Sequence, residues 1–153
     1  MTKPRHAHDG MRMPAWIRRW VYAVGIATAA TGTLWLILHH FVRKEGEFGP
    51  EPHWIEPHLL SAHGATAMLA LWVFGLIWLP HVRRGWHQSR NRRTGIAMVV
   101  IAMVLAVSGW GLYYIGSEDW RPWISALHWV LGLYAVVWLP LHVWRGRRSA
   151  QHR

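Results

Sequence analysis

Four histidines lie in apolar stretches of the chain, in two pairs with helical spacing. His63 and His81 are eighteen residues apart, and His128 and His142 are fourteen residues apart. At about 100° per residue, eighteen steps close the circle and fourteen steps return to within roughly 40° of the start, so each pair lies on one helix face. Imidazole nitrogens bind transition metals, and a pair of them can provide both axial ligands of a b-type haem. The spacing therefore favours two metal-binding levels, which we interpret as two stacked haem b groups.

The rise along each helix matches the thickness of a membrane. Fourteen residues rise about 21 Å and eighteen about 27 Å, against a hydrocarbon layer of about 30 Å. Ionisable residues inside a membrane are costly to keep, so they indicate a functional site. His63 and His128 follow the outer starts of their predicted spans, whereas His81 and His142 precede basic flanks. We therefore expect His63 to be level with His128, and His81 with His142.

Long apolar runs predict an all-α integral membrane protein, a four-helix bundle that forms one domain over residues 1–153. Each run is long enough to cross a bilayer, and the runs cover approximately residues 20–42, 58–82, 94–116 and 122–144. The basic N-terminus resembles the start of a signal peptide, but the apolar run after it is too long, so we expect a retained first helix. The chain has no cysteine. This excludes disulfides, iron–sulfur clusters and covalently attached c-type haem.

The distribution of charge predicts the orientation in the membrane. Lys and Arg total 17 and are concentrated in the N-terminal tail, the loop 83–93 and the tail after residue 144. Positive loops stay in the cytoplasm, so both termini are predicted to be cytoplasmic in a multi-pass protein of the bacterial inner membrane. These flanks and their attraction to membrane lipid account for the net charge of +10, and we expect no nucleic-acid partner.

Small and basic residues near the histidines suit a flat, acidic cofactor. Gly64 and Gly132 would leave room for a porphyrin, although glycines also serve ordinary helix packing in membrane bundles. Arg83 and Arg145 follow the histidines nearest the cytoplasm. Their guanidinium groups could bind haem propionates, because arginine recognises carboxylates well.

Two adjacent histidines at the outer end of the first span have three open interpretations. His39 or His40 could be an outer haem ligand in place of His63 or His128. Either could instead carry a proton beside a quinone. An ordinary interfacial position, with the polar tip in water, is the third interpretation.

Three features of the second half of the chain carry a family resemblance. They are the spacing of His128 and His142, the run SGWGLYYIG at residues 108–116, and the start of the fourth span at Leu127-His128-Trp129. With these features the chain resembles the bacterial four-helix di-haem b-type cytochromes of the cytochrome b561 type. That group includes the cytochrome b subunits of formate dehydrogenases and NiFe-hydrogenases.

The resemblance implies a ligand set. The fourth helix would provide one ligand to each haem, here His128 and His142, and the second helix would provide His63. In the family, a first-helix histidine near the cytoplasm often completes the inner haem. This chain has Arg18, Arg19, Trp20 and Tyr22 in that region and offers His81 instead.

The function implied by the resemblance is transmembrane electron transfer through two bis-histidine b-type haems. Electrons would pass between a periplasmic cytochrome or oxidoreductase subunit and the quinone pool or a partner subunit. The chain would then be an electron-transfer protein or the cytochrome b subunit of an oxidoreductase that acts on quinone. Two alternatives are a histidine-based transporter of divalent metal or protons and a haem-free membrane anchor subunit. Transporters usually add acidic residues within their spans, and every acidic residue of this chain lies outside the predicted spans.

Overall fold

Long helices make up almost all of the described chain. The computed structural model describes residues 13–46, 49–87 and 92–151. The long helices are α1 (Ala15–Phe41), α2 (Glu56–Ile77), α4 (Arg92–Tyr114) and α5 (Arg121–Gln151). A π-helical segment (Trp78–Arg83) and the short α3 (Arg84–His87) continue the line of the chain after α2.

Four segments of this structure are long and apolar enough to cross a membrane, which confirms the predicted all-α class and the number of long apolar helices. They are Ala15–Phe41, Glu56–His87, Arg92–Tyr114 and Arg121–Arg148. Three of them extend past the predicted apolar runs by several residues. Hydropathy marks only the apolar part of a helix, whereas arginine and other good helix formers continue it into the interface. The membrane concerned and the sidedness of the termini remain predictions.

A small β-hairpin connects α1 to α2. Strands β1 (Lys44–Gly46) and β2 (Gly49–Glu51) pair antiparallel. Gly49 has φ +115°, a left-handed conformation that glycine adopts without steric cost. Beyond the hairpin, the carboxylate of Glu56, only 4% exposed, accepts hydrogen bonds from the backbone N–H of His53 and from Nδ1 of His39, both at 2.9 Å. This buried carboxylate ties the start of α2 to the end of α1.

The long helices pack as two hairpins. α1 lies along α2, α4 lies along α5, and the hairpins meet partly between α1 and α5. The buried apolar side chains are few among the described residues: Val24 and Val73 at 5% exposed and Ile101 at 7%. Most large apolar side chains face outward, as expected for helices surrounded by lipid. Two histidine ring pairs, His63 with His128 and His81 with His142, join one hairpin to the other.

Candidate functional site

The structure brings the four span histidines together as two pairs. We call His63 and His128 the outer pair, and His81 and His142 the inner pair, after the predicted orientation. The ring centroids are 6.1 Å apart in the outer pair and 6.2 Å apart in the inner pair. The ring planes are nearly perpendicular, at 89° and 87°. These are the partners that the sequence predicts to be level.

The separation within each pair suits a metal ion between the two rings. With metal–nitrogen bonds of about 2 Å and roughly 1 Å more from each nitrogen to its ring centre, two imidazoles on opposite sides of one metal have centroids about 6 Å apart. A direct N–H···N hydrogen bond would bring the centroids to about 5 Å, since its nitrogens are about 3 Å apart. The observed separations of 6.1 and 6.2 Å match this metal-bridged arrangement, and they also match an ordinary edge-to-face ring pair, whose centroids are about 4.5–7 Å apart.

Hydrogen bonds define which nitrogen of each outer ring carries the proton. Nδ1 of His63 lies 3.0 Å from the backbone oxygen of Thr28. A carbonyl only accepts, so Nδ1 of His63 donates. Nδ1 of His128 lies 2.9 Å from Oγ of Ser108. That hydroxyl donates its one hydrogen to the oxygen of Val104 at 2.7 Å, so it accepts from His128. In both neutral rings, Nε2 is then the nitrogen with the free lone pair.

In the inner pair, only the ring of His142 has a hydrogen-bond partner among the described residues. Nδ1 of His142 lies 3.1 Å from Oγ1 of Thr94, which is 8% exposed. His81 lies in the π-helical segment, directly after Pro80. Proline lacks the N–H of the regular helical hydrogen bond, and π-helical turns often occur at functional sites. Within the described residues, no hydrogen bond reaches a ring nitrogen of His81, so its orientation depends on this local backbone.

Two glycines let the outer rings lie close to neighbouring helices. A Cβ on Gly32 of α1 would lie 2.8 Å from Cε1 of His63. A Cβ on Gly109 of α4 would lie 3.2 Å from Cε1 of His128. Real Cβ contacts are rarely this short, so a side chain at either position would displace the imidazole beside it.

The glycines and arginines predicted from the sequence differ in their surroundings. A Cβ on Gly64 would lie 3.2 Å from the hydroxyl oxygen of Tyr113, and a Cβ on Gly132 would meet nothing within 4 Å. Arg83 and Arg145 are exposed near the inner pair. Of the predicted residues, Gly132 thus borders free space, whereas Gly64 packs towards α4.

The structure places His39 in the connection between α1 and α2. Its Nδ1 bonds to the carboxylate of Glu56, its ring stacks on Trp35 at 4.6 Å, and its Nε2 lies 3.4 Å from Nη2 of Arg43. His40 is exposed and meets the ring of His39 edge-on at 5.2 Å. Both nitrogens of His39 are thus engaged by charged neighbours.

The donor set at each level consists of two nitrogens. Among the described residues there is no group of three or more His, Cys, Asp or Glu side chains that could hold a metal ion. A metal held at either pair would need its other ligands from a non-protein group.

No protein-family model, curated protein or solved structure matches the chain.

Several residues that hold the histidines were not predicted as site residues, although the sequence contains a signal for them. The chain has three dipeptides in which Ser or Thr precedes glycine: Thr31-Gly32, Thr94-Gly95 and Ser108-Gly109. Each lies beside one histidine of a pair, since Thr31 is 3.3 Å from Nδ1 of His63. Hydroxyl groups within apolar spans, next to a small residue, are the pattern that would have found them.

Proposed function

We propose that this chain carries electrons across the bacterial inner membrane through two b-type haems, each held by one histidine pair. The observation that carries the proposal is the pairing itself. Two sets of imidazoles, 6.1 and 6.2 Å apart, lie on spans that could cross a membrane. On α5, fourteen residues separate the two levels, or about 21 Å of helix. One pair would therefore lie near each surface of the membrane.

The number of protein ligands favours haem over a simple metal ion. Protein-bound zinc commonly has three or four ligands from side chains, and the described residues provide two at each level. The porphyrin ring of a haem supplies the remaining in-plane ligands, so two axial histidines complete the site. A divalent-metal transporter is less well supported for the same reason.

A buried donor near the inner pair also fits an oxygen-bearing cofactor. The indole Nε1 of Trp138, one turn before His142, is buried without a hydrogen-bond partner among the described residues. Most buried polar groups in proteins are paired, so an unpaired one calls for a ligand or water. A haem propionate would accept from this N–H, and Arg83 and Arg145 would provide positive charge nearby.

The chain's own residues would perform a simple task. A bound haem supplies one-electron redox chemistry. The histidines would hold each centre at a defined depth, and the Nδ1 contacts of three of them would keep those rings in a fixed orientation. The lipid-facing helices exclude water from the path. The partners would be a periplasmic redox protein or oxidoreductase subunit on the outer side and the quinone pool or a partner subunit on the other.

A visible spectrum of the purified protein tests the proposal. We expect about two b-type haems per chain in the reduced-minus-oxidised and pyridine haemochrome spectra of the wild type. His128→Ala and His142→Ala should each lose a different haem. His58→Ala is the matched control, because His58 is an exposed histidine on the same helix as His63. A folded, colourless protein from haem-replete cells would contradict the proposal, and metal-dependent transport by that protein would favour the transporter.

A further inference from the structure

The hydroxyl groups of α4 repeat with the spacing of the histidines of α5. Fourteen residues separate Thr94 from Ser108, and fourteen separate His128 from His142. The two helices run antiparallel, so Ser108 meets His128 at one level and Thr94 meets His142 at the other. One helix thus supplies both histidines, and its neighbour supplies a hydroxyl partner for each.

These hydroxyls do more than satisfy their own helix. Thr66 on α2 shows the ordinary arrangement: its hydroxyl donates to the backbone oxygens of Ala62 and His63 of its own helix, both at 3.0 Å. Ser108 makes the same kind of bond to Val104 and in addition accepts from His128 of α5. Its side chain is 6% exposed, so water does not compete for this position.

We propose that Ser108 and Thr94 are positioning residues that set the aim and the ligand strength of His128 and His142. The inference rests on the proposed function, because it concerns the metal that those histidines would bind. Ser108 accepts the Nδ1 hydrogen of His128, and Thr94 would do the same for His142, which would leave Nε2 of each ring as the nitrogen that binds the metal. Each of these hydrogen bonds also increases the electron donation from Nε2, since a hydrogen bond at the second ring nitrogen raises the basicity of a histidine ligand.

Loss of a hydroxyl should change the redox potential in a defined direction. When the acceptor is removed, the imidazole becomes a weaker electron donor. This loss destabilises ferric iron more than ferrous iron, so the midpoint potential rises. At a fixed ambient potential, we expect the ferrous-to-ferric ratio at the affected centre to increase severalfold, where tenfold corresponds to about 59 mV for a one-electron couple. Ser108→Ala should shift the outer centre only, and Thr94→Val the inner centre only.

The experiment is a potentiometric titration of the purified, haem-loaded full chain, followed by visible absorbance. His128→Ala and His142→Ala first assign each wave to one centre, because each leaves one haem. Thr66→Val is the control that removes a helix-internal hydroxyl, and it should leave both potentials unchanged. Thr94→Ser restores a hydroxyl and should return the inner potential to that of the wild type. Ferric EPR spectra report the angle between the axial rings. The signal of the outer centre should change in Ser108→Ala and stay unchanged in the control Thr66→Val.

The outcomes separate the inference from the proposed function. If the wild type holds no haem, the proposed function fails and this inference fails with it. If Ser108→Ala and Thr94→Val retain both haems with wild-type potentials and EPR spectra, the hydroxyls only pack, and the inference alone is overturned. Ser108 and Thr94 lie fourteen residues apart on α4, so a folding defect in one variant still leaves the other as a test.

Discussion

At the scale of single residues, the site depends on the hydrogen bonds at the Nδ1 atoms of its imidazoles. The Nδ1 atoms of His63, His128 and His142 face a carbonyl or hydroxyl oxygen. At His63 and His128 the partner oxygen accepts, which in a neutral imidazole leaves Nε2 as the nitrogen with a lone pair, the form that binds metals. These two rings therefore have the protonation pattern required of ligands, from contacts within the protein alone.

The close approach of the His63 ring to Gly32 allows a steric test of the outer pair. In Gly32→Ala, the new Cβ would lie 2.8 Å from Cε1 and 2.9 Å from Nδ1 of His63. We expect the ring to move off its Thr28 acceptor, and the affinity for the outer haem to fall about 10- to 100-fold, as is usual when the support of a ligand is lost. Pyridine haemochrome quantification after purification measures the loss.

Gly25→Ala is the matched control for that variant. Gly25 lies on the same helix, and a Cβ there would meet nothing within 4 Å. Both changes improve helix propensity by up to about 1 kcal/mol, so propensity cannot distinguish them. Equal haem content in the two variants would contradict the role of Gly32 as the space beside His63.

At the scale of the elements, the histidine-bearing spans reach the inner pair by different routes. α5 continues as α-helix past Pro140 to His142. After α2, the chain instead changes to a π-helical segment that contains both Pro80 and His81. A π-helical turn holds an extra residue relative to an α-helical one, and each residue adds about 100° of rotation. The orientation of His81 is therefore a property of this segment.

Removal of the proline should disturb the inner pair. In Pro80→Ala, the restored backbone N–H can join a regular α-helical ladder, which would rotate His81 away from His142. We expect the inner haem to lose its second axial ligand and to become high-spin and able to bind carbon monoxide. Resonance Raman or visible spectra of the reduced protein with carbon monoxide measure this change.

Pro140→Ala provides the comparison for that experiment. Because α5 is already α-helical through Pro140, the substitution should leave His142 in place. A Pro80→Ala protein with an unchanged low-spin spectrum would mean that the proline does not determine the position of His81.

At the scale of the whole molecule, the two hairpins share little buried apolar surface. Only Val24, Val73 and Ile101 are both apolar and buried among the described residues. Each ring pair joins the first hairpin to α5, from α2 in the outer pair and from the π-helical segment after α2 in the inner pair. Two haems, one bound at each pair, would therefore connect the hairpins to each other.

Haem removal should for this reason lower the stability of the bundle. A ligand present at about 1,000 times its dissociation constant stabilises the folded state by about 4 kcal/mol. We expect protein from haem-deficient cells to unfold at a lower temperature in detergent than the haem-loaded protein, as followed by circular dichroism. His58→Ala, loaded with haem, should unfold like the wild type. Equal unfolding temperatures with and without haem would show that the hairpins hold together by other contacts.

The predicted orientation of the chain is a separate property of the whole molecule. The positive-inside rule places both termini in the cytoplasm because the basic residues cluster in the tails and in loop 83–93. A green fluorescent protein fused to the C-terminus should fluoresce, whereas alkaline phosphatase fused there should be inactive. The reverse pattern would invert the assignment of outer and inner pairs.

The sequence by itself determined the number of helices long and apolar enough to cross a membrane, and which histidines pair with each other. Hydropathy reports burial in lipid directly, and helical periodicity converts residue spacing into height and face without knowledge of neighbouring helices. For this reason the pairing of His63 with His128, and of His81 with His142, could be anticipated.

Only the tertiary structure decided which groups contact Nδ1 of those histidines. The partners Thr28, Ser108 and Thr94 belong to helices other than those of their histidines. Contacts between helices depend on the rotation of each helix about its axis, which hydropathy does not encode. The role of Gly32 could not be predicted for the same reason, since the sequence does not show which ring packs against a glycine of another helix. The π-helical turn at His81 likewise required the backbone, because a proline near the end of a helix is compatible with several local geometries.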